Sequence, residues 1–283
     1  MTFDRLRLGD FDIFGLRDGF FHPDGGAMFG VVPKVLWEKR CPADDRNRIK
    51  LGLNSILIWT GAARVLVETG AGTKLGARLR HNYGVEQDAG LLGSLRKLGF
   101  SPEDIDFVIN THLHFDHCGG NTIRDDRGQL VPAFPRARYF IQRSEWQWAE
   151  NPHEREKESY QADNFKPLAE LGLVDLVDGD APVVAGVEVM LAPGHTAGHQ
   201  CVKVESRGRT LVYLGDLVPT SAHIGLAYGM SYDLYPLENL ETKRKLYERA
   251  VAEDWVLAFV HDPVHYFGRV GKTDHKYEFR PLD

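Results

Sequence analysis

Apolar and polar residues alternate over residues 6–16 and again over residues 54–69. Successive side chains of a β-strand point to opposite faces, so a period of two predicts a strand in both stretches. The segment 60–62, Thr-Gly-Ala, interrupts the second stretch and predicts a hairpin turn. Further strands are predicted at residues 105–110, 137–141, 186–192, 200–206, 209–214 and 255–260.

Helical spacing of apolar residues marks the stretch between the first and second groups of strands. Leucines recur at this spacing over residues 86–99, and residues 101–104, Ser-Pro-Glu-Asp, predict a capped helical turn directly after them. Two further helical segments are predicted, residues 144–171 in two pieces broken at Pro152 and residues 238–253. Because the elements run β-rich, α, β-rich, α, we predict an α/β fold.

The chain contains no repeat, low-complexity segment or Gly/Ser-rich linker, so we predict one domain over residues 1–283. Within it, residues 20–50 are punctuated by glycine and proline and predict a long loop. Either this loop is an ordinary one anchored by its apolar side chains, or it forms a wall of a substrate pocket or an oligomer contact. We expect residues 144–171 to form a helical cap over the site.

Six apolar side chains of these two segments suit either a hydrophobic pocket or lid or the contact of a homodimer, and the four from residues 20–50 look exposed. They are Phe21, Met28, Phe29, Trp37, Trp146 and Trp148.

Charge and composition exclude several classes of protein. A net charge of −6 argues against a nucleic-acid binder, which needs clustered Lys and Arg. No apolar stretch approaches the roughly 20 residues that span a bilayer, and the N-terminal residues do not resemble a secretion signal. Three cysteines without a CxxC spacing fit reduced thiols. We therefore expect a soluble cytoplasmic protein without nucleic-acid or membrane partners.

The chemistry-bearing residues are concentrated in the segment 111–120, THLHFDHCGG, directly after a predicted strand. Imidazole and carboxylate groups are ligands of borderline divalent cations. His112 and His114 lie two residues apart and would point to the same side of an extended chain. Asp116 and His117 could then turn toward a second point, so this loop could serve two ions.

Three later predicted strands also end at residues of the ligand type. LAPGH ends at His195, LVYLGD ends at Asp216, and the last predicted strand leads to His261. Each position alone fits an ordinary hydrogen-bonded or surface side chain. Together with the first cluster, they predict a metal site.

The segments HLHFDH, PGHTAGH, LGD and VHD, in this order, resemble the metal-binding motifs of the metallo-β-lactamase superfamily over residues 54–262. Among its branches, the closest resemblance is to metallo-hydrolases that include acyl-homoserine-lactone lactonases and esterase- or organophosphate-hydrolysing enzymes. The resemblance implies a four-layer αββα sandwich with the site at one edge between the sheets. It also implies that a first metal is bound by His112, His114 and His195, a second by Asp116, His117 and His261, and both by a bridging Asp216.

The expected activity is that of a metal-dependent hydrolase acting on a carboxylic ester or lactone, or on a phosphotriester. Two divalent ions could share a bridging hydroxide that attacks a small hydrophobic substrate. Zinc is the first expectation, and manganese, iron and cobalt accept the same ligands. Asp116 is expected to orient the hydroxide or to move a proton, and His223, in the loop after Asp216, to contact the substrate.

Two other residues are assigned supporting roles. Glu68 stands where the family usually has an aspartate that supports the histidine loop. His199 either orients a metal ligand or has a plain structural role. For Cys118, next to His117, packing is the preferred interpretation.

The chain departs from the lactonase pattern at Pro219, where that pattern has a tyrosine that assists the substrate carbonyl. Tyr228, Tyr232 and Tyr235 are the alternative sources of a hydroxyl. An alternative activity on the same fold is that of a mononuclear-iron sulfur dioxygenase.

Overall fold

The computed structural model describes residues 4–274 and 276–282, so residues 1–3, 275 and 283 of the predicted domain lie outside it. Its strands are β1 Arg5–Leu8, β2 Phe11–Phe21, β3 Leu51–Trp59, β4 Arg64–Val67, β5 Phe107–Ile109, β6 Thr122–Arg124, β7 Leu130–Pro132, β8 Arg138–Gln142, β9 Val174–Val177, β10 Ala181–Val184, β11 Val187–Leu191, β12 Gln200–Ser206, β13 Arg209–Tyr213, β14 Val256–Ala258, β15 Phe267–Lys272 and β16 Tyr277–Pro281. Its α-helices are α1 Gly25–Phe29, α2 Lys34–Trp37, α3 Ala77–Asn82, α4 Gly90–Lys97, α5 Phe115–Cys118, α6 Arg143–Glu150, α7 Lys166–Glu170 and α8 Pro236–Ala252.

The strands form two sheets of seven, in the orders β1-β2-β3-β4-β5-β8-β9 and β10-β11-β12-β13-β14-β15-β16. The pairs β4·β5, β5·β8 and β8·β9 are parallel in the first sheet, as is β13·β14 in the second. Parallel neighbours end at the same edge of a sheet. β6 and β7 form a separate hairpin.

Alternating side chains place one core between the sheets and one on each outer face. Ile56 and Ile58 of β3 pack with Leu211 and Tyr213 of β13 in the cluster between the sheets. Leu57, which lies between them on β3, points the other way, into the cluster that contains the apolar side chains of α4. The outer face of the second sheet is covered by α8. The result is the predicted four-layer αββα sandwich.

Residues 20–50 are more ordered and more buried than their glycine and proline content suggests. β2 extends to Phe21, and α1 and α2 follow within the segment. The expectation that the side chains of this segment are exposed was wrong, because Phe21, Met28, Phe29 and Trp37 are each at most 3% exposed. Phe29 stacks on Trp37, with ring centroids 5.1 Å apart, inside a core cluster of their own.

Residues 144–171 contain α6, two short 3-10 turns and α7. The first helix ends at Glu150, next to the predicted break at Pro152. The prediction that residues 255–260 are the last strand was wrong, because β15 and β16 extend the second sheet beyond β14. In the part of the chain that the structure describes, no helix is both long and apolar enough to cross a membrane.

Candidate metal centre

The predicted ligands follow the carboxyl ends of strands that meet at one edge of the sandwich. The segment with His112 follows β5 of the first sheet, while Asp216 follows β13 and His261 follows β14 of the second. His195 follows β11, which runs in the same direction as β13 because both are antiparallel to the strand between them. The two sheets thus deliver residues that are far apart in sequence to one place.

The structure brings all of the predicted ligands together, in three groups whose ligand atoms lie within 4.8 Å of one another. The groups are His112 with His114 and His195, His112 with His117 and Asp216, and Asp116 with His117 and His261. In the first group, Nδ1 of His114 lies 3.0 Å from Nε2 of His112 and 3.2 Å from Nε2 of His195.

The third group, Asp116 with His117 and His261, lies on the other side of Asp216. Oδ2 of Asp116 is 3.6 Å from Nε2 of His117 and 3.5 Å from Nε2 of His261. The carboxylate of Asp216 stands between the groups, since its Oδ2 is 3.4 Å from Nε2 of His195 and its Oδ1 is 3.2 Å from Nε2 of His261. A carboxylate in this position can bind two ions at once.

The outer nitrogens of His195, His261 and His112 are held by other groups. Nδ1 of His195 lies 3.0 Å from Oδ1 of Asp233, and Nδ1 of His261 lies 2.8 Å from the carbonyl oxygen of Gly52. Nδ1 of His112 lies 3.0 Å from the hydroxyl of Thr111. A proton held on the outer nitrogen leaves the lone pair of the inner one free for a metal.

Glu68, at the end of β4, contacts the histidine loop. Its carboxylate accepts a hydrogen bond from the backbone N–H of Thr111 at 3.0 Å and lies 3.4 Å from Nδ1 of His117. Its φ of 64° is in the left-handed region, which is uncommon for residues other than glycine. The backbone turns sharply here, and the side chain reaches the loop after β5.

His199 contacts Asp216 through the backbone of that residue. Burial, followed by the neighbouring His195, lowers the pKa of His199 to about 3, so the ring is neutral. Its Nδ1–H donates to the carbonyl oxygen of Ala192, and its Nε2 accepts from the backbone N–H of Asp216 at 3.0 Å. Both nitrogens are used, and the ring fixes the position of Asp216.

The donor set fits divalent cations. Nε2 of His117 and Oδ1 of Asp216 are buried and have no hydrogen-bond partner within residues 4–274 and 276–282. Burial works to lower the pKa of His117, but Asp216 and Asp116 outweigh it and raise that pKa well above its usual range. The carboxylates of Asp216 and Asp116 therefore favour a positive charge between the ligand side chains. Imidazole nitrogens and carboxylate oxygens are donor atoms that suit zinc and related metals.

A cavity of about 390 Å³ opens onto these groups. Ligand-type side chains His114, Asp116, His195, Asp216 and His261 form part of its lining. The lining also includes apolar side chains from residues 20–50, from the histidine loop and from the chain after β13, which together are called the apolar wall: Phe21, Met28, Phe115, Met230 and Leu234. Such a combination of an apolar wall with a few polar groups is typical of small-molecule sites.

Residues 49–261 match the family model described as the metallo-beta-lactamase superfamily. The chain belongs to this superfamily. A curated relative, N-acyl homoserine lactonase of Bacillus cereus, is 36% identical over 121 residues, which are 42% of this chain and 41% of that protein. N-acyl homoserine lactonase AttM of Rhizobium radiobacter is 26% identical over 184 residues, 63% of this chain and 66% of that protein.

Solved structures resemble this metallo-β-lactamase superfamily member over nearly its whole length. A probable metal-dependent hydrolase from Staphylococcus aureus has a TM-score of 0.89 and 31% identity, with 98% of this chain and 100% of that chain covered. AidC, a dizinc quorum-quenching lactonase in complex with a product, has a TM-score of 0.83 and 24% identity, with coverage of 100% and 98%. The match to the first curated relative, in contrast, spans about two fifths of that protein's length.

His223 is not at the cavity of this superfamily member, and its predicted contact with substrate was wrong. The residue is fully buried and does not line the cavity. Burial lowers its pKa to about 3. Its Nε2–H donates to the carbonyl oxygen of Met28 at 2.8 Å, its Nδ1 lies 2.8 Å from the hydroxyl of Thr220, and its ring stacks on Phe29. His223 joins the loop after β13 to α1.

Of the three tyrosines considered as hydroxyl sources, only Tyr232 lines the cavity. Tyr228 packs edge-on against Phe29 instead. Tyr83, which the sequence analysis did not single out, also lines the cavity and packs against Phe115 with ring centroids 5.0 Å apart. Pro219 holds the backbone, because its carbonyl oxygen accepts from the N–H of His261 at 2.9 Å.

Sequence reasoning also missed three acidic residues near the ligands. Asp233 contacts His195, and Glu156 lies beside His114. Glu145 on α6 accepts from the N–H of Leu113 and from the hydroxyl of Thr196, so it ties two ligand loops together. No motif marks these acids in the sequence, since each reaches its partner from a distant segment.

Proposed function

We propose that this protein is a metal-dependent hydrolase that holds two divalent ions and cleaves the ester bond of a small hydrophobic lactone or carboxylic ester. The observation that carries the proposal is that the ligand cluster lines a cavity whose lining also contains the apolar wall. The curated relatives named above are N-acyl homoserine lactonases, which makes such lactones the first substrates to test. The named relatives do not favour the dioxygenase alternative.

The proposed ligands divide between the ions as the three groups suggest. His112, His114 and His195 would hold one ion and Asp116, His117 and His261 the other, with Asp216 between them. Zinc is the proposed metal, and manganese, iron or cobalt would fit the same donors. When bound there, two such ions would supply a hydroxide nucleophile near neutral pH and would polarise a substrate carbonyl.

The chain's own polar side chains would orient the substrate and move the proton. Asp116 lines the cavity and belongs to the ligand cluster, so its carboxylate is placed to carry a proton to the departing alkoxide. Tyr83 and Tyr232 both line the cavity, and their phenols can donate hydrogen bonds to an ester carbonyl. Either phenol could take the place of the tyrosine that Pro219 replaces.

The apolar wall would bind the acyl portion of the substrate and keep water from the reacting groups. Phe21 and Met28 are each 3% exposed, and Met230 is 5% exposed. Burial of apolar surface is worth roughly 25 cal/mol per Å², so a short acyl chain would gain affinity from this wall. A substrate with a linear acyl chain on one side of its ester fits this arrangement.

The test is metal content together with hydrolysis of an N-acyl homoserine lactone, an aryl ester and an aryl phosphotriester, before and after chelation. We expect about two ions per chain, turnover of the lactone or ester that is lost on chelation, and recovery when zinc is restored. Asp216→Asn should abolish turnover, while Asp126→Asn, the same change at an exposed turn, should leave it intact. Turnover that survives complete removal of metal would contradict the proposal.

A further inference from the structure

Glu156 lies in the segment after α6, and its side chain reaches His114 of the ligand cluster. The residue is 8% exposed, although most of its neighbours in sequence are exposed. Its Oε1 accepts a hydrogen bond from the indole N–H of Trp148 on α6. Its Oε2 lies 3.4 Å from Nε2 of His114.

Nε2 of His114 can donate a proton to a hydrogen bond, and Oε2 of Glu156, which faces it, can accept that bond. Nε2 of His114 and Oε2 of Glu156 are both buried, and neither has another hydrogen-bond partner in the described part of the chain. His114 directs its Nδ1 into the ligand cluster, where this atom lies 3.0 Å from Nε2 of His112. A neutral imidazole carries one proton, so the proton must sit on Nε2 and point at Glu156 when Nδ1 serves as a metal ligand.

The segment that carries Glu156 is also a wall of the cavity. Arg155, Glu156, Glu158 and Ser159 line it. Tyr160, at the end of the segment, forms a backbone bridge with His114, and the two rings lie 4.8 Å apart. The other side of the wall is tied down by Arg155, whose guanidinium donates to the carbonyl oxygen of Ser231 at 2.6 Å.

We propose that Glu156 is a positioning residue that fixes the tautomer of His114 and so links the segment 151–160 to metal binding. The inference rests on the proposed function, because it assumes that His114 is a metal ligand. A carboxylate that accepts from a ligating imidazole orients the ring and makes it a better ligand, and loss of such a partner typically weakens metal binding about 10- to 100-fold. Coupling between metal binding and the ordering of the segment is reciprocal, so a bound metal would also stabilise the segment in the position that the structure shows.

The informative variant is Glu156→Gln, which preserves side-chain size. A carboxylate can accept from Trp148 and His114 at the same time with its two oxygens, but an amide has one oxygen for the two donors. The matched control is Glu158→Gln, which removes the same charge from an exposed position on the same wall. Trp148→Phe removes only the indole donor and leaves the carboxylate beside His114.

The measurement is zinc affinity of the full chain, by competition with a chromophoric chelator, together with hydrogen exchange of residues 151–160 with and without zinc. In the wild type and in Glu158→Gln, we expect zinc to bind at two sites and to slow exchange in this segment. In Glu156→Gln, we expect one site to weaken about tenfold or more and the zinc-dependent protection to disappear. Trp148→Phe should retain most of the zinc affinity if Glu156 acts through His114.

The alternative is that Glu156 only anchors the segment to α6. In that case Trp148→Phe would cause the same loss as Glu156→Gln, and the inference would be overturned. Unchanged zinc affinity and protection in Glu156→Gln would also overturn it, while the proposed function would stand because the wild type still binds metal and turns over. If the wild type bound no metal, both proposals would fall together.

Discussion

Oδ1 of Asp233 lies 3.0 Å from Nδ1 of His195, while Oδ2 of the same carboxylate accepts from the backbone N–H of Met230 at 2.8 Å. One buried side chain therefore orients a proposed metal ligand and also closes the loop that carries part of the cavity wall. Asp233 is 3% exposed, so neither contact is replaced easily by water.

Replacement of Asp233 by asparagine should weaken metal binding. The amide has a single acceptor oxygen for two donors, and a partner of a ligating imidazole contributes about 10- to 100-fold to metal affinity. We expect faster loss of one metal ion to a chelator and a parallel fall in kcat. Asp178→Asn, at an exposed ion pair with Arg143, is the control. Equal metal retention in both variants would show that Asp233 supports the loop alone.

Glu68→Ala should destabilise the fold as well as the site. The change leaves the buried N–H of Thr111 without its acceptor, which costs about 1–3 kcal/mol. It also removes the contact with His117, so metal retention should fall. Glu68→Gln keeps one acceptor and should preserve most of the stability while it still lowers metal affinity. Chemical denaturation with chelator present separates the two effects, and identical behaviour of the two variants would contradict this account.

Lys243 is a buried cation that organises the loop after β13. It is fully buried on α8, and its ammonium donates to the carbonyl oxygens of His223, Gly225 and Tyr228 at 2.6, 3.0 and 2.9 Å. Lys243→Met leaves these carbonyls without a donor, and an unmade buried hydrogen bond costs about 1–3 kcal/mol. We expect a clear fall in the free energy of unfolding, whereas Lys245→Met at an exposed position of the same helix should have little effect.

The same lysine should make stability depend on pH. Burial lowers the pKa of Lys243 to about 7 from its ordinary value of 10.5. As the pH rises from 7 to 10.5, the unfolded chain therefore holds a proton that the folded chain has released, and stability increases over this window. Below pH 7 both states are protonated and the effect is absent. Denaturation at several pH values should show this rise in the wild type and not in Lys243→Met.

Met230→Ala tests the proposed acyl wall. The side chain is 5% exposed and lines the cavity with Met28 and Phe21. Its truncation removes apolar contact worth about 0.8 kcal/mol per buried CH₂, so KM should rise more for a lactone with a long acyl chain than for one with a short chain. Met190→Ala, which changes a methionine in the cluster under α8, is the control. A KM that is raised equally for both lactones would place the acyl chain elsewhere.

The local pattern of apolar and polar residues predicted much of the secondary structure. It failed to predict whether the apolar side chains of residues 20–50 are buried or exposed. The alternation in β3 and the capped turn at residues 101–104 were recognisable because each depends on neighbours in sequence. Phe21 and Trp37 looked exposed because the surrounding glycines and prolines suggested an open loop. Their burial depends on partners supplied by tertiary packing, such as Phe29 and the loop after β13.

The sequence by itself determined the proposed ligand set, because the imidazoles and carboxylates of residues 112–117 lie within one short loop and the remaining proposed ligands follow predicted strands. Only the tertiary structure decided which residues support them. Asp233 and Glu156 reach His195 and His114 from segments 38 and 42 positions further along the chain, given by the differences 233 − 195 and 156 − 114. Such contacts have no periodic signature, since they depend on where the packed sheets and loops place two distant side chains.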